Sequence, residues 1–232
     1  MDWENYIPDI DKHIHNLSFL EKIYIIESPR DEELLIGRNE GDALRQVLSL
    51  ADIEVVYFLA VNEEMFEKAF DDISSLIANQ IDLNTAMPFI HISAHGLEDG
   101  IELTDGQILD WQKLNRLLSG LHMKIGPAVM PQPLPQNIPK TSICLSSCGV
   151  FDPFVENTKT NPTYQSVVGP SSDVGWCEAL LAFSTFYYHA CVLKTSFDVA
   201  VQSMNIASGA LLSGKPKFFF LNPHETSLTS PQ

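Results

Sequence analysis

Two residues in this sequence have the types and placement for covalent chemistry. His95, followed at once by Gly96, closes the strand-like run Phe89-Ile90-His91-Ile92-Ser93-Ala94. Cys148 closes a second run, Ser142-Ile143-Cys144-Leu145-Ser146-Ser147. A thiol is a strong nucleophile only as its thiolate, and a nearby imidazole can take its proton. Positions 95 and 148 are 53 residues apart. Each stands where an apolar strand gives way to a loop, which is the edge where open α/β sheets assemble their sites.

The elements that must position this pair alternate between strand and helix. Lys22–Ser28 is a short β-rich run. It leads through a charged loop into a helix over 41–51, where Leu44, Val47, Leu48 and Ala51 recur at helical spacing. Residues 53–61 form a second apolar strand, and Asn62 can cap a helix with Phe66, Ala69, Phe70, Ile73, Leu76 and Ile77 on one face. The runs ending at His95 and Cys148 supply strands three and four. Between them, Asp105-Gly106 predicts a tight type I′ hairpin over 100–109, beside His95. Asp110 then caps a helix with Trp111, Leu114, Leu117 and Leu118 inward, and 127–139 reads as a proline-rich loop. Residues 151–166 read as irregular. A strand at 167–169, helices around 176–183 and Phe197–Ala207, and a strand Phe218–Leu221 complete the pattern. Short, continuously apolar strands belong in a parallel sheet covered on both faces. The sequence therefore predicts an α/β fold, a doubly wound sandwich with a mostly parallel central sheet and a small hairpin after the His-Gly strand.

Bulk properties set the limits. With 232 residues and 45% hydrophobic content the chain can bury one substantial core. It is read as a single domain over 1–232, with 1–21 as an N-terminal extension and 222–232 as a flexible tail. Fourteen Lys and Arg against 30 Asp and Glu give a net charge of −16. That charge repels nucleic-acid phosphates and anionic lipid, so neither nucleic acid nor a membrane is an expected partner. The N-terminus lacks the basic flank and apolar core of a secretory signal, and no apolar run is long enough to cross a bilayer, so a cytoplasmic location is expected.

The cysteines at 144, 148, 177 and 191 show no CxxC pair and no Cys/His cluster of the zinc type, so no metal and no cofactor is expected. In a reducing compartment all four stay free thiols, with Cys148 reactive and Cys144, Cys177 and Cys191 as packing residues. His91 and His189 lie in apolar contexts and read as hydrogen-bonded core histidines. His13, His15, His122 and His224 read as exposed.

Four stretches resemble the caspase-fold cysteine peptidases, and within them the CHAT branch that also includes separase. His-Ile-Ser-Ala-His-Gly (91–96) is similar to the family's strand ending in His-Gly. Ile-Glu-Leu-Thr-Asp-Gly (101–106) resembles the hairpin that follows it, and Ile-Cys-Leu-Ser-Ser-Cys (143–148) the strand ending in Leu-Ser-Ala-Cys. Phe186-Tyr187-Tyr188 with the 197–207 helix is a looser match to the family's late helices. The resemblance spans roughly 88–209, and a histidine about 50 residues upstream of the cysteine is the caspase arrangement.

The resemblance implies a cysteine endopeptidase acting on protein or peptide substrates through a Cys148/His95 dyad. Cys148 would attack the scissile carbonyl, and His95 would protonate the leaving amine and then assist water. The backbone N–H groups of Gly96 and Cys148 would form the oxyanion hole. Ser147 departs from the alanine of many relatives. For substrate binding the resemblance points to Arg38, in the segment 37–44, if an acidic residue is read, and to Glu98, Asp99 or Asp173 if a basic one is. Regulation by an activating sensor protein or by loop ordering, in a setting such as bacterial antiviral defence, also follows from the resemblance. The residues leave the oligomeric state open. They also leave two rivals: a catalytically silent module that binds a partner at the same strand edge, and a redox-sensing thiol.

Overall fold

A computed structural model describes residues 22–80, 88–129, 141–210 and 215–223. Its strands are β1 (Lys22–Ser28), β2 (Glu54–Leu59), β3 (Phe89–Gly96), β4 (Gly100–Glu102), β5 (Ile108–Asp110), β6 (Ser142–Ser146), β7 (Ser166–Pro170) and β8 (Phe218–Leu221). The central sheet runs β2-β1-β3-β6-β7-β8. All its pairings are parallel except β7 with β8. The chain steps from β1 outward to β2 and then back past β1 to β3, so the strand order reverses beside β1, where doubly wound sheets open a crevice at their carboxyl ends.

The helices are α1 (Asp31–Leu35), α2 (Glu40–Ser49), α3 (Glu63–Gln80), α4 (Trp111–Val129), α5 (Phe151–Thr158), α6 (Trp176–Tyr187) and α7 (Phe197–Ala207), with a π-helical turn at Tyr188–Val192. Strand alternation splits the core in two. Tyr24, Ile26, Ile90 and Ile92 pack with Phe66, Ile73, Leu114 and Phe154 under α3, α4 and α5. Ile23, Ile25, Phe89 and Cys144 pack with Leu44, Leu48, Phe183, Phe186 and Met204 under α2, α6 and α7. Each fully buried side chain of this size contributes about 1.5–3 kcal/mol. The apolar runs therefore set the sandwich, and the loops at the strand ends remain for other work.

Several sequence expectations hold locally. Asn62 Oδ1 accepts the N–H of Met65 at 2.9 Å, and Asp110 Oδ1 accepts that of Lys113 at 2.6 Å, capping α3 and α4. His91 is fully buried with Nδ1 3.0 Å from the Tyr187 hydroxyl.

Others need correction. The Asp105-Gly106 turn is not type I′: only Gly106 has positive φ, +80°, where type I′ needs it at both central residues. Leu103 and Gln107 instead flank a three-residue loop closed by a left-handed glycine. The charged loop after β1 contains α1, which has no buried residue and so no periodicity to detect. The irregular 151–166 stretch contains α5, buried through Phe151, Phe154 and Thr158. Helix α4 continues through Pro127 to Val129, and 130–139 lies outside the described residues. So do the extension 1–21 and the tail from 224. Cys177 is exposed rather than packed. His122 is buried, with its Nε2 accepting the Thr141 N–H at 3.0 Å. His189 is half-buried, and its Nδ1 has no hydrogen-bond partner.

Candidate active site

Strands β3 and β6 are neighbours, paired in parallel from Phe89 with Ser142 to Ser93 with Ser146. That register carries the same 53-residue offset that separates His95 from Cys148. Continued two residues past the last pair, it sets the two side by side at the carboxyl edge. Both line one cavity of about 160 Å³, together with Ser146, Ser147 and the segment 174–176 ahead of and into α6.

Gly96 is required by close approach. A Cβ there would lie 2.1 Å from the Cys148 carbonyl oxygen and 2.5 Å from Val150 Cγ1. The backbone of the histidine strand thus presses against the backbone of the cysteine turn, which a side chain would push apart. Gly149, at φ +61°, then lets the chain leave Cys148 in a sharp turn into α5.

His95 is held from the side by a residue that no motif indicated. Its Nε2 lies 2.7 Å from Glu33 Oε2, with the two side chains 20% and 12% exposed. Glu33 also accepts the Trp176 Nε1–H at 2.9 Å and the Arg30 backbone N–H at 3.1 Å. Burial alone would raise this carboxyl. The hydrogen bonds from His95, Trp176 and Arg30, aided by charge on His95, outweigh it and hold Glu33 below the ordinary carboxylate range. An ionised carboxylate only accepts, so His95 Nε2 donates, and Nδ1 is left as the nitrogen that can exchange a proton with a reacting group. The Trp176 indole also packs edge-on against the His95 ring, with centroids 5.1 Å apart at 89°.

The half-buried Cys148 thiol is turned toward the backbone of Val174. Sγ donates to the Val174 carbonyl at 3.3 Å and faces the Val174 N–H at 3.5 Å. The 171–175 segment is itself tied down: Gly149 N–H donates to Ser172 O at 3.2 Å, and Ser171 N–H to Lys217 O at 2.9 Å.

The four residues suggested for substrate binding do not line this cavity. Arg38 is exposed beyond α1, its backbone N–H bonded to Glu33 O at 2.8 Å. Glu98 and Asp99 border a separate open groove of about 960 Å³, with Asp110, Asp152 and Glu156. Asp173 is exposed next to Val174, and its carbonyl accepts from Lys217 Nζ at 3.3 Å. Glu33 and Trp176 were the residues sequence reasoning missed. Glu33 left one faint signal: an acidic run directly after Pro29-Arg30, at the end of a strand neighbouring β3, which suits the first turn of a helix. Trp176 left none, standing 143 residues from the carboxylate it binds.

No family model matches the chain, and no curated protein matches it. Among solved structures it is similar to that of the Arg-specific cysteine proteinase gingipain R, with a TM-score of 0.53 and 10% identity, over 89% of this chain and 47% of that one. The fold is caspase-like. The chain spans about half the length of that structure, and at 10% identity the likeness concerns the caspase-like fold alone. Among the described residues no helix is long and apolar enough to cross a membrane.

Proposed function

We propose that this chain is a cysteine endopeptidase of the CHAT type, with Cys148 as nucleophile and His95 as its acid-base partner. The observation that carries the proposal is the shared cavity: thiol and imidazole line it at adjacent strand ends, and the imidazole is oriented by an ionised Glu33. This is the nucleophile, base and orienting-group logic of covalent acyl transfer. The Cys148 thiol gives its proton to His95 Nδ1 as its sulfur bonds to the scissile carbonyl carbon, and the amide C–N bond breaks as Nδ1 passes that proton to the leaving amine. Water then adds with His95 as base, the C–S bond breaks, and the thiol regains its proton. By resemblance, the Gly96 and Cys148 N–H groups serve the oxyanion.

In the described arrangement the thiol proton is directed to Val174 O rather than to His95. Activity requires the thiol to leave Val174 O, by rotation of the Cys148 side chain or movement of the 171–175 segment, and that is where an activating partner or a bound substrate would act. By resemblance, such control suits a cytoplasmic defence protein under a sensor. The arginine specificity in the name of gingipain R is not carried over, because no carboxylate among the described residues lines the cavity.

The test is cleavage. Cys148→Ala and His95→Ala each abolish new N-termini in a proteome digest while far-UV CD stays native, and the double variant behaves as either single one, because members of one catalytic unit do not add. Wild-type cleavage by Cys148→Ala would falsify the assignment. If no cleavage occurs with wild type under any activating condition, the interaction-module reading replaces it.

A further inference from the structure

Helix α1, which carries Glu33, is five residues long and has no buried residue, so the packing of its own helix does not fix the carboxylate that orients His95. The Arg30 guanidinium reaches Glu102 at 2.8 Å, but that pair is open to water and screened by it. The Arg30 N–H that Glu33 Oε2 accepts comes from the start of the same helix and anchors it to nothing else. Helix α6 is the opposite case. Phe183, Phe186 and Tyr187 hold it in the second core. Its first turn is fastened by Glu178, which accepts the Gly175 N–H at 3.4 Å and pairs with Lys217 at 2.7 Å.

Trp176 is the first residue of that anchored helix. Its indole Nε1–H donates to Glu33 Oε1 at 2.9 Å, while Glu33 Oε2 receives His95 Nε2 at 2.7 Å. Among the described residues this is the only side-chain hydrogen bond between Glu33 and a core-packed helix. A carboxylate held at one oxygen swings about that contact. Held at both, by donors from two different elements, it keeps one orientation. The same indole lies edge-on to the His95 ring, with centroids 5.1 Å apart, and so braces the imidazole as well as the carboxylate.

Resting on the peptidase reading, we propose that Trp176 is a positioning residue of the dyad, whose indole N–H ties Glu33 to α6 and so keeps the carboxylate aligned with His95 Nε2 through the proton transfers at Nδ1. It acts through Glu33 and takes no part in the bonds that form and break. Indole nitrogen only donates, which suits an acceptor-only carboxylate. A side chain needed for packing alone would require the ring but not its N–H.

The experiment compares the full chain with Trp176→Phe, which keeps an aromatic ring beside His95 and removes the donor. Trp176 is half-buried at a helix start, so the variant is expected to retain the native far-UV CD. On a peptide that wild type cleaves, kcat is expected to fall on the order of tenfold with KM little changed, as the loss of one hydrogen bond to a charged group produces. In a Glu33→Ala background the same substitution is expected to cost nothing further, because its partner is already gone, whereas a packing role would carry its loss into that background. A second readout needs no activity: the carboxyl 13C titration of Glu33, its signal assigned by its disappearance in Glu33→Gln. Burial pushes this carboxyl up and hydrogen bonds from His95, Trp176 and Arg30 hold it down, so its midpoint is expected to rise in Trp176→Phe. An unchanged kcat, a loss that persists in the Glu33→Ala background, or an unmoved Glu33 midpoint overturns the proposal and leaves the peptidase reading standing. If wild type cleaves no peptide under activating conditions, the peptidase reading itself fails, and this proposal with it.

Discussion

Glu27, near the end of β1, and Glu33, six residues on in α1, each accept three hydrogen bonds, yet they depart from the ordinary carboxylate range in opposite directions. Glu27, 1% exposed, takes the N–H of Gly41 at 2.7 Å, the N–H of Asp42 at 3.1 Å and the Tyr57 hydroxyl at 2.7 Å. Its burial dominates, the three donors only partly offset it, and nearby Glu40 adds to it, so this carboxyl is raised. Glu33, nearer to solvent, has donors that win over burial and a histidine rather than a glutamate beside it, so it is lowered. Donor number is equal; depth and the sign of the neighbour decide. The partners differ as well. Glu27 binds mainly backbone and pins the first turn of α2, where Gly41 leaves room, since a Cβ there would sit 2.8 Å from Ile25 Cγ2. Glu33 binds two side chains of the candidate site. One carboxylate serves the fold and the other the candidate site.

The sharpest way to break that contrast is activity. Glu33→Gln is expected to lower kcat on the order of 10²-fold with KM little changed. An amide can still accept from Trp176 but does not stabilise a protonated His95. Glu27→Gln is expected to leave kcat unchanged. Steady-state kinetics on a cleaved peptide decide it, and equal losses in the two variants would erase the distinction.

Next in size is stability. Glu27→Ala strips two backbone N–H groups and the Tyr57 hydroxyl of their buried acceptor, an expected loss of about 3 kcal/mol. Urea denaturation measures it. A loss equal to that of Glu33→Ala would show that both carboxylates are structural.

The smallest effect is the pH dependence of folding, where the two have opposite signs. The depressed Glu33 contributes stability that is present above the unfolded carboxylate value and is lost as pH falls through its lower folded value. The raised Glu27 works the other way, its cost to the folded state growing as pH rises from the unfolded carboxylate value to the folded one. Thermal melts from neutral into acid pH should therefore show a shallower acid loss for Glu33→Gln than for wild type, and a steeper one for Glu27→Gln. Parallel curves for all three proteins would contradict the assigned directions.

The strands and long helices were readable because their signals are local. Ile23 to Ile26 and Phe89 to Ile92 are apolar runs with no other use than a doubly covered sheet, and Phe66, Ala69, Phe70, Ile73 and Ile77 repeat along one helical face before burial confirms them. His95 and Cys148 were visible for the same reason, each standing at the end of such a run. Helix α1 was not, since a five-residue exposed helix carries no apolar period. Nor was the turn at Gly106, because Asp-Gly suits several turn types and the flanking pairing chooses among them.

By itself the sequence determined which segments must be buried, in what order, and which two residues end them at the edge of the candidate site. Only the tertiary structure decided that Glu33 and Trp176 would meet at His95, that Val174 would hold the thiol, and that the Ser146 and Ser147 hydroxyls would be buried without partners. Burial patterns are written residue by residue along the chain. A hydrogen bond between positions 33 and 176 depends on where the sheet brings their elements, and no spacing in the sequence records it.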